Sequence, residues 1–212
     1  TPRLDRKTDI VLLRDLITTA PHTSVAVPSM LSLGSIQSWD SIASSKSVIS
    51  AFKHVGYQTY WASTQEADGW GGLVPIIAQE SKHRHYFDRS HDRALVDYLS
   101  EVLKANTYKD KIFIVLHTKG SHFEYSRRYP KEFEIFKKSD VLKRDALVNS
   151  YDNTILYTDY VISEIIDVLN NSNRPAAMVY ISDHGENLMD DERQLFGHAI
   201  GTEYDLRSAG LV

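Results

Sequence analysis

The feature that most constrains this chain is an apolar run that ends abruptly in an acid, an imidazole and a glycine. The run Met178-Val-Tyr-Ile181 leads to Asp183, His184 and Gly185. Its composition predicts a β-strand over residues 176–181, with Asp183 and His184 at the carboxyl end of that strand. Ligands bind just beyond this edge in open α/β sheets. The stretch therefore predicts a functional cleft at the carboxyl edge of a sheet.

Asp183 and His184 together suit a divalent metal ion. The carboxylate supplies a hard oxygen, the neutral imidazole supplies a nitrogen, and zinc accepts both. The alternative interpretation is a pair of polar residues that merely caps a loop after a strand. Three more histidines favour the metal, because His198 follows in the same part of the chain and His117 and His122 flank the end of another apolar run.

Helix-type and strand-type patterns alternate along the chain. Residues 112–116 form a continuous apolar run, as expected of a strand buried on both faces of a parallel sheet. Residues 57–62 alternate as a further strand. Apolar spacing predicts helices over 25–33, 47–55, 94–103 and 147–169, and the last of these is expected to bury Tyr151, Ile155, Ile162 and Ile166. This alternation predicts an α/β sandwich with a mostly parallel sheet.

A hydroxyl-rich loop, residues 19–24, precedes the helix predicted over 25–33. A hydroxyl at this position is commonly an N-cap, which is one interpretation of Thr23 or Ser24. The other interpretation is a nucleophile, because the unpaired N–H groups and the positive dipole end of a helix N-terminus can hold a phosphate. Both interpretations stay open on this stretch alone.

Composition limits the classes of protein to which the chain can belong. Its 212 residues are enough for one domain with a core, and we expect a single domain over 1–212. A formal net charge of −4 without a basic stripe argues against nucleic-acid binding. No apolar run approaches the roughly 18 to 20 residues that span a bilayer, so we expect this chain to be soluble. The absence of cysteine excludes thiolate ligands and thiol nucleophiles.

Two other stretches have a weaker signal. His83, His85 and His91 lie in the charged stretch 81–93, and we expect them on a solvated surface although His-x-His is a zinc spacing. Trp70, in a glycine-rich turn, either covers a pocket or shields the core, and the sequence favours neither interpretation.

Four motifs together resemble a known family. They are Pro21-His-Thr-Ser-Val-Ala-Val-Pro-Ser-Met30, Leu116-His-Thr-Lys-Gly-Ser-His122, Tyr151-Asp-Asn153, and Ser182-Asp-His-Gly-Glu-Asn187 with Gly197-His198. In this order and spacing they resemble the phosphoethanolamine transferases that modify bacterial lipopolysaccharide, within the sulfatase-like branch of the alkaline phosphatase superfamily. The resemblance runs from Thr1 to about Val212. It implies a three-layer α/β sandwich in which helices flank a mostly parallel central sheet.

The resemblance implies a nucleophile assisted by a metal. Thr23 matches the family's nucleophilic threonine, and Asp183 and His184 match the ligands that hold zinc together with it. Threonine is a weak nucleophile, and a metal both stabilises its alkoxide and offsets charge on a phosphoryl group. Zinc–oxygen bonds are about 2 Å long, so we expect Thr23 Oγ1 to lie within about 8 Å of the Asp183 carboxylate.

The other matched residues are histidines. His122 and His198 match histidines that hold the phosphate or a second zinc ion, and His117 matches a pocket histidine. The resemblance thus implies one or two zinc ions, or another divalent metal in their place. It further implies phosphatidylethanolamine as donor, lipid A or a core sugar of lipopolysaccharide as acceptor, and a phosphoethanolamine–threonine intermediate. Such proteins act at the periplasmic face of the bacterial inner membrane, to which an N-terminal transmembrane region missing from this chain would anchor them.

Two departures from the family pattern bear on activity. The family's remaining ligand, a glutamate at the end of its first strand, would precede Thr1. We therefore expect the domain to lack that strand and a C-terminal part, and this chain by itself to bind zinc weakly and be inactive. The family's disulfide cysteines are also absent, and Ser29 stands where one of them often lies.

Three alternatives remain. A sulfatase would need cysteine or serine within Cys/Ser-x-Pro-x-Arg, and the sequence contains no Ser-x-Pro-x-Arg. A glycerol-phosphate transferase of the lipoteichoic acid type would share the threonine and the metal and differ only in its acceptor. The last alternative is an inactive binding or structural module with a sulfatase-like fold.

Overall fold

A computed structural model describes residues 2–13, 16–35, 37–67, 72–137, 143–189 and 191–198. Its main sheet consists of three parallel strands, β1 (Gln58–Ser63), β2 (His83–Tyr86) and β3 (Ile112–His117). β1 lies between the other two and pairs with both. Ser63 is opposite His117, so β1 and β3 end at the same carboxyl edge.

Helices and a short hairpin complete the described fold. The α-helices are α1 (Thr23–Leu31), α2 (Trp39–Ser44), α3 (Val48–His54), α4 (Val74–Gln79), α5 (Arg93–Ala105) and α6 (Lys143–Asn170). Single 3₁₀ turns occur at Leu4–Arg6, Tyr125–Arg127 and Lys131–Phe133. The two-residue strands β4 (Asn187–Leu188) and β5 (Phe196–Gly197) pair antiparallel.

The main sheet separates two hydrophobic clusters. One cluster joins α1, α3, β1 and α4 and contains Val27, Ile49, Trp61, Ile77 and Ala78. The other joins α5, α6 and a surface segment and contains Val96, Leu99, Tyr129, Tyr157, Val161 and Ile165. Alternate residues of β3 pack against opposite clusters, because successive side chains of a strand point to opposite faces. The predicted α/β sandwich with a parallel sheet is therefore confirmed.

The local patterns that predicted most elements have clear physical causes. The hydroxyl of Ser47 accepts the N–H of Ile49 and caps α3, and Gly56 ends that helix with a φ of +86°. The helices predicted over 47–55 and 94–103, and the strand over 57–62, are confirmed with small shifts at their ends. The strand over 112–116 is also present, although all its residues are half-buried rather than buried on both faces.

The strand predicted over residues 176–181 is wrong. The structure assigns no strand there, and Val179 is 88% exposed. A strand needs a neighbour to pair with its backbone N–H and C=O groups, and within the described ranges no segment pairs with this one. Asp183 therefore follows an unpaired segment and not a strand of the main sheet.

The longest helix is confirmed, but its buried face is only partly the predicted one. Of the four residues expected inside, Ile162 is buried, whereas Tyr151, Ile155 and Ile166 are half-buried. The face that lies deepest instead includes buried polar side chains that bond to neighbouring loops, which an apolar period does not reveal. These are Asn153, Thr154 and Asp159.

The remaining expectations concern the surface. His83, His85 and His91 are exposed, as predicted. Trp70 lies outside the described residues. Within the described ranges, none of the helices combines the length and the apolar character needed to cross a bilayer.

Candidate active site

Thr23 is the first residue of α1, and its hydroxyl faces away from that helix. His22 occupies the N-cap position in an extended conformation, and no side chain caps the helix. Ser24 Oγ lies 2.8 Å from His22 Nδ1. Thr23 Oγ1 instead lies 3.3 Å from Nε2 of His184, which is remote in sequence. The N-cap interpretation of Thr23 or Ser24 is therefore wrong, and the Thr23 hydroxyl belongs to a site between distant segments.

His184 presents a lone pair to this site. Its Nδ1 donates to the Gly185 carbonyl over 2.9 Å, because a carbonyl oxygen can only accept. In the neutral ring, Nε2 is then unprotonated. This nitrogen lies 3.3 Å from Thr23 Oγ1 and 3.7 Å from Asp183 Oδ2. Because both distances are measured from the same nitrogen, Thr23 Oγ1 and Asp183 Oδ2 are less than about 8 Å apart. One ion could therefore bind both oxygens, as predicted.

The surroundings of the Asp183 carboxylate suit a divalent cation. Its Oδ2 is buried, and no hydrogen-bond donor reaches it among the residues that the structure describes. An unsatisfied buried carboxylate oxygen is costly, and here it faces an imidazole lone pair. A positively charged ion between them would satisfy both groups. Asp183, His184 and Thr23 therefore form a donor set of oxygen and nitrogen atoms that suits zinc.

Hydrogen bonds from two side-chain hydroxyls hold the backbone of Asp183 and His184, which lie outside any strand. The Thr18 hydroxyl donates to the Asp183 carbonyl. Ser182 Oγ donates to the His184 carbonyl over 2.7 Å. Hydrogen bonds from side-chain hydroxyls thus hold the backbone of this segment, whereas the strands of the main sheet are held by backbone hydrogen bonds.

The β4–β5 hairpin brings Glu186 and His198 together. Asn187 is opposite Gly197, so the residues just outside this pair are neighbours. His198 Nδ1 donates to Glu186 Oε1 over 2.7 Å, and the Tyr125 hydroxyl donates to Glu186 Oε2 over 3.0 Å. The Glu186 side chain is only 5% exposed. Both of its oxygens are therefore committed inside the protein.

Three histidine rings form a row at the site. The ring centroids of His184 and His198 are 4.3 Å apart, and those of His198 and His122 are 5.1 Å apart. The hydrogen bond from His198 to Glu186 raises the pKa of His198, against the opposing effect of burial. Burial lowers the pKa of His122, and the neighbouring His198 lowers it further. The two rings are thus pushed in opposite directions, His198 towards the protonated form and His122 towards the neutral form.

A second group of possible metal ligands overlaps the first. One ligand atom each from His184, Glu186 and His198 lie within 4.8 Å of one another. His117, by contrast, is held at the end of β3. Its ring nitrogens lie 3.2 Å from Ser63 Oγ and 3.2 Å from Gln65 Nε2.

The structure thus brings together Thr23, Asp183, His184, His122 and His198, and it keeps His117 at the adjacent end of the sheet. Sequence reasoning assigned no role to Glu186 or Tyr125. Glu186 lies within the motif around Asp183, and an acid next to a metal-type pair was a usable signal. No local signal points to Tyr125, because its contact with Glu186 exists only in the folded chain.

Comparison with known proteins identifies the family. A sequence profile described as Sulfatase matches residues 1–208. The chain belongs to the sulfatase family. Among relatives of this sulfatase-family chain, the putative transferase YhbX of Escherichia coli strain K12 is 34% identical over 187 residues, which are 87% of this chain and 33% of that protein. The Kdo(2)-lipid A phosphoethanolamine 7''-transferase of the same strain is 38% identical over 120 residues, 54% of this chain and 20% of that protein.

A solved structure has a similar fold. The C-terminal periplasmic domain of EptC from Escherichia coli, in complex with Zn, superimposes with a TM-score of 0.83 at 26% identity. The match covers 93% of this chain and 60% of that domain. The predicted alkaline-phosphatase-like fold is therefore confirmed. The sulfatase-family chain described here spans about a third of the length of YhbX.

Proposed function

We propose that this chain carries the catalytic centre of a phosphoethanolamine transferase that acts on lipopolysaccharide. The observation that supports this most is the position of Thr23, whose hydroxyl lies at the N-terminus of α1 and faces the His184 lone pair beside the Asp183 carboxylate. The name of the lipid A phosphoethanolamine transferase relative supports the same group transfer and lipid A as acceptor. A core sugar is the other acceptor that we consider, and phosphatidylethanolamine is the proposed donor.

In the proposed reaction, Thr23 Oγ1 attacks the phosphorus atom of phosphatidylethanolamine. The Oγ1–P bond forms, the bond from phosphorus to diacylglycerol breaks, and diacylglycerol leaves as an alcohol with the proton that Thr23 gives up. The free N–H groups at the start of α1 are placed to hold the phosphoryl oxygens. An acceptor hydroxyl then takes the phosphoethanolamine group from Thr23. Phosphoryl transfer depends mainly on positioning and on compensating charge, which this arrangement can supply.

Zinc fits the site on the chemistry of its donors. Asp183, His184 and Thr23 would hold one ion, because Asp183 Oδ2 is buried without a hydrogen-bond donor among the described residues and the Nδ1 of His184 is occupied by the Gly185 carbonyl, which leaves Nε2 for the ion. The ion would supply the charge that stabilises a threonine alkoxide. The Zn complex of the EptC domain supports zinc over another divalent metal. The group around His198 leaves room for one ion or two.

The histidines would bind the phosphate group. The hydrogen bond to Glu186 raises the pKa of His198 and favours the protonated ring, in which both nitrogens are donors, whereas burial lowers the pKa of His122 and favours its neutral ring. His117 would shape the pocket from the end of β3. We infer that residues 1–212 belong to one catalytic domain. The full-length protein would work at the periplasmic face of the inner membrane, an inference supported by the similarity to the periplasmic domain of EptC.

A covalent adduct on Thr23 tests the proposal. The full-length protein is incubated with a soluble phosphatidylethanolamine analogue, and the peptide that contains Thr23 is analysed by mass spectrometry. We expect a phosphoethanolamine adduct on this peptide. Thr23→Ala should abolish the adduct and the transfer while it keeps the fold and most of the zinc, because Asp183 and His184 remain. Thr23→Ser should retain part of the activity through its hydroxyl.

Ser29→Ala is the matched control. Ser29 lies on the same helix, and its hydroxyl bonds back to the Val25 carbonyl over 2.8 Å, so it does not enter the site. This variant should form the adduct to the same extent as the protein without substitutions. Normal transfer by Thr23→Ala would exclude Thr23 as the nucleophile, and hydrolysis of a sulfate ester without phosphoethanolamine transfer would favour a sulfatase.

A further inference from the structure

The end of β3 and the loop that follows it, residues 118–122 (the β3 loop), carry two of the site's histidines, and most residues of this stretch are anchored. His117 is bonded to the end of β1, as described above. The Thr154 hydroxyl of α6 donates to Ser121 Oγ over 2.6 Å. Arg128 Nε donates to the His122 carbonyl over 3.3 Å. None of these bonds holds the backbone of Lys119 and Gly120, in the middle of the loop.

The Asp92 carboxylate anchors the backbone of that middle part, whereas the Lys119 side chain bonds to Glu66. Asp92 Oδ1 accepts the Lys119 N–H over 2.9 Å, and Asp92 Oδ2 accepts the Gly120 N–H over 2.8 Å. The Thr64 hydroxyl donates to Oδ1 and also accepts the Lys119 N–H over 2.9 Å. Asp92 is 6% exposed. The carboxylate is therefore buried, and both of its oxygens are bonded to the loop or to the end of β1.

Asp92 makes these bonds instead of the bond that its position would favour. It occupies the N-cap position of α5, where an aspartate usually accepts an N–H of its own helix. Here the side chain makes no such bond. The N-terminus of α5 therefore has no side-chain cap from Asp92. The carboxylate bonds instead to a loop that follows 27 residues later in the chain. An aspartate whose only role was to cap α5 would not bond to the loop in this way.

We propose that Asp92 is a positioning residue that fixes the β3 loop and thereby places His122 against His198. The inference rests on the proposed function, because it assigns the placement of His122 a part in the transfer reaction. Gly120 has a φ of +57°, a conformation that turns two consecutive N–H groups towards one anion. His122 follows two residues later, so a shift of the Gly120 turn moves its ring.

Asparagine at position 92 is the informative replacement. It keeps the size of the side chain, but its amide nitrogen is a donor and would face one of the two backbone N–H groups. One anchor of the loop is then lost and one N–H is left without an acceptor. Small displacements of groups that position a substrate can cost about a hundredfold in rate. The expected defect is therefore in catalysis, and not in the amount of folded protein.

The experiment compares Asp92→Asn with Asp88→Asn in the full-length protein. Asp88 lies four residues away with a side chain that is 86% exposed, so its replacement removes the same charge without touching the loop. Amide exchange is measured at Lys119 and Gly120, and the imidazole signals of His122 are recorded by NMR. Transfer kinetics use a fluorescent phosphatidylethanolamine analogue and purified lipid A.

For Asp92→Asn we expect exchange at Lys119 and Gly120 to rise by about tenfold or more. The His122 imidazole signals should move, whereas those of the exposed His83 should not. The kcat should fall by about a hundredfold with little change in KM. In a His122→Ala background, Asp92→Asn should cause no further fall in kcat, because a residue that acts through His122 is not additive with it. Asp88→Asn should change none of these quantities.

A second variant covers the case in which Asp92→Asn does not fold. Thr64→Val removes the hydroxyl shared by Asp92 and Lys119, and it should give the same changes in milder form. Unchanged exchange and unchanged His122 signals in a folded variant would overturn the inference, and so would an equal fall in kcat with and without His122. If the unmodified protein transfers nothing, the proposed function fails, and the exchange and imidazole measurements still decide the role of Asp92.

Discussion

Glu80 joins the end of α4 to the start of α3 through three hydrogen bonds. It accepts the Ser47 N–H over 3.1 Å, the Ser47 hydroxyl over 2.5 Å and the Ser50 hydroxyl over 2.6 Å. Partial burial by itself raises the pKa of Glu80, but these bonds outweigh it and leave the pKa below its ordinary value. The ionised carboxylate is therefore stabilised by folding, which links the stability of the protein to pH.

We predict that Glu80→Gln lowers the free energy of unfolding by about 1 kcal/mol at pH 7, because an amide forms weaker hydrogen bonds than a partly exposed carboxylate. The folded pKa lies below the ordinary value of 4.5, so the contribution is complete above that value and disappears as the pH falls through the folded pKa. Urea unfolding at neutral and at strongly acidic pH measures the difference. Glu132→Gln, at an exposed glutamate, is the control, and a difference that persists in acid contradicts the prediction.

The residues of the site differ in how far the sequence reveals them. Thr23, Asp183 and His184 stand out because reactive residue types occur where a predicted helix begins or an apolar run ends. Asp92 gave no such signal, since it lies in the charged stretch 81–93, which has the composition of a solvated surface. Its burial depends on backbone N–H groups of a loop that only the folded chain brings near it.

At the scale of elements, α6 shows where periodicity succeeds and where it fails. The spacing of apolar residues correctly predicted a long helix, because packing on a core selects one face. It did not predict that the buried face includes Asn153, which is fully buried. Asn153 Oδ1 accepts the N–H groups of Ile135 and Phe136 over 3.0 and 2.9 Å, and so holds the surface segment after Tyr129. Such polar contacts have no sequence period.

The apolar part of α6 gives a direct test of its packing. Ile162 is 6% exposed, and Ile162→Ala should lower the free energy of unfolding by about 2–5 kcal/mol, because the truncated side chain leaves a cavity. Ile166→Ala, at a half-buried position of the same helix, should cost less. Urea denaturation of both variants checks the order. A variant Ile162→Ala with unchanged stability would show that this face is not part of the core.

A strand depends on its neighbours more than a helix does, and residues 176–181 illustrate this. A helix satisfies its backbone hydrogen bonds internally, so its period is visible within one segment. A strand satisfies them only through another segment. The composition of 176–181 predicts a strand, but no part of the described chain pairs with this segment and no strand forms. Composition alone cannot reveal whether such a neighbour exists.

At the scale of the whole molecule, several large apolar side chains remain exposed. Val11 is 85% exposed, Ile17 is 70% exposed and Val179 is 88% exposed. The Thr18 hydroxyl bonds to the Asp183 carbonyl, so the segments that carry Ile17 and Val179 approach each other beside the site. Exposed apolar surface of this kind is typical of a contact region. Among the described hydrogen bonds, the Asp183 carbonyl is held by the Thr18 hydroxyl.

Metal binding should stabilise the contact between the segments that carry Thr23 and Asp183. Thr23 lies near the start of the described chain and Asp183 near its end, so an ion held by both would link segments that otherwise meet through few bonds. A ligand that binds only the folded state stabilises it by mass action, by about 2.7 kcal/mol at a concentration one hundred times Kd. Zinc affinity should therefore be visible as thermal stability of the whole chain, independently of any catalytic activity.

We predict that zinc at about one hundred times its Kd raises the Tm by roughly 5–10 °C, because 1 kcal/mol corresponds to roughly 2–4 °C in a chain of this size. Thermal unfolding with zinc, with magnesium and with a chelator measures the effect. His184→Ala should abolish the increase, since it removes the nitrogen shared by Thr23 and Asp183. The double variant His83→Ala/His85→Ala, at exposed histidines, should retain it. An increase that survives in His184→Ala but disappears in the double variant would place zinc on the surface of β2 and remove the metal from the proposed centre.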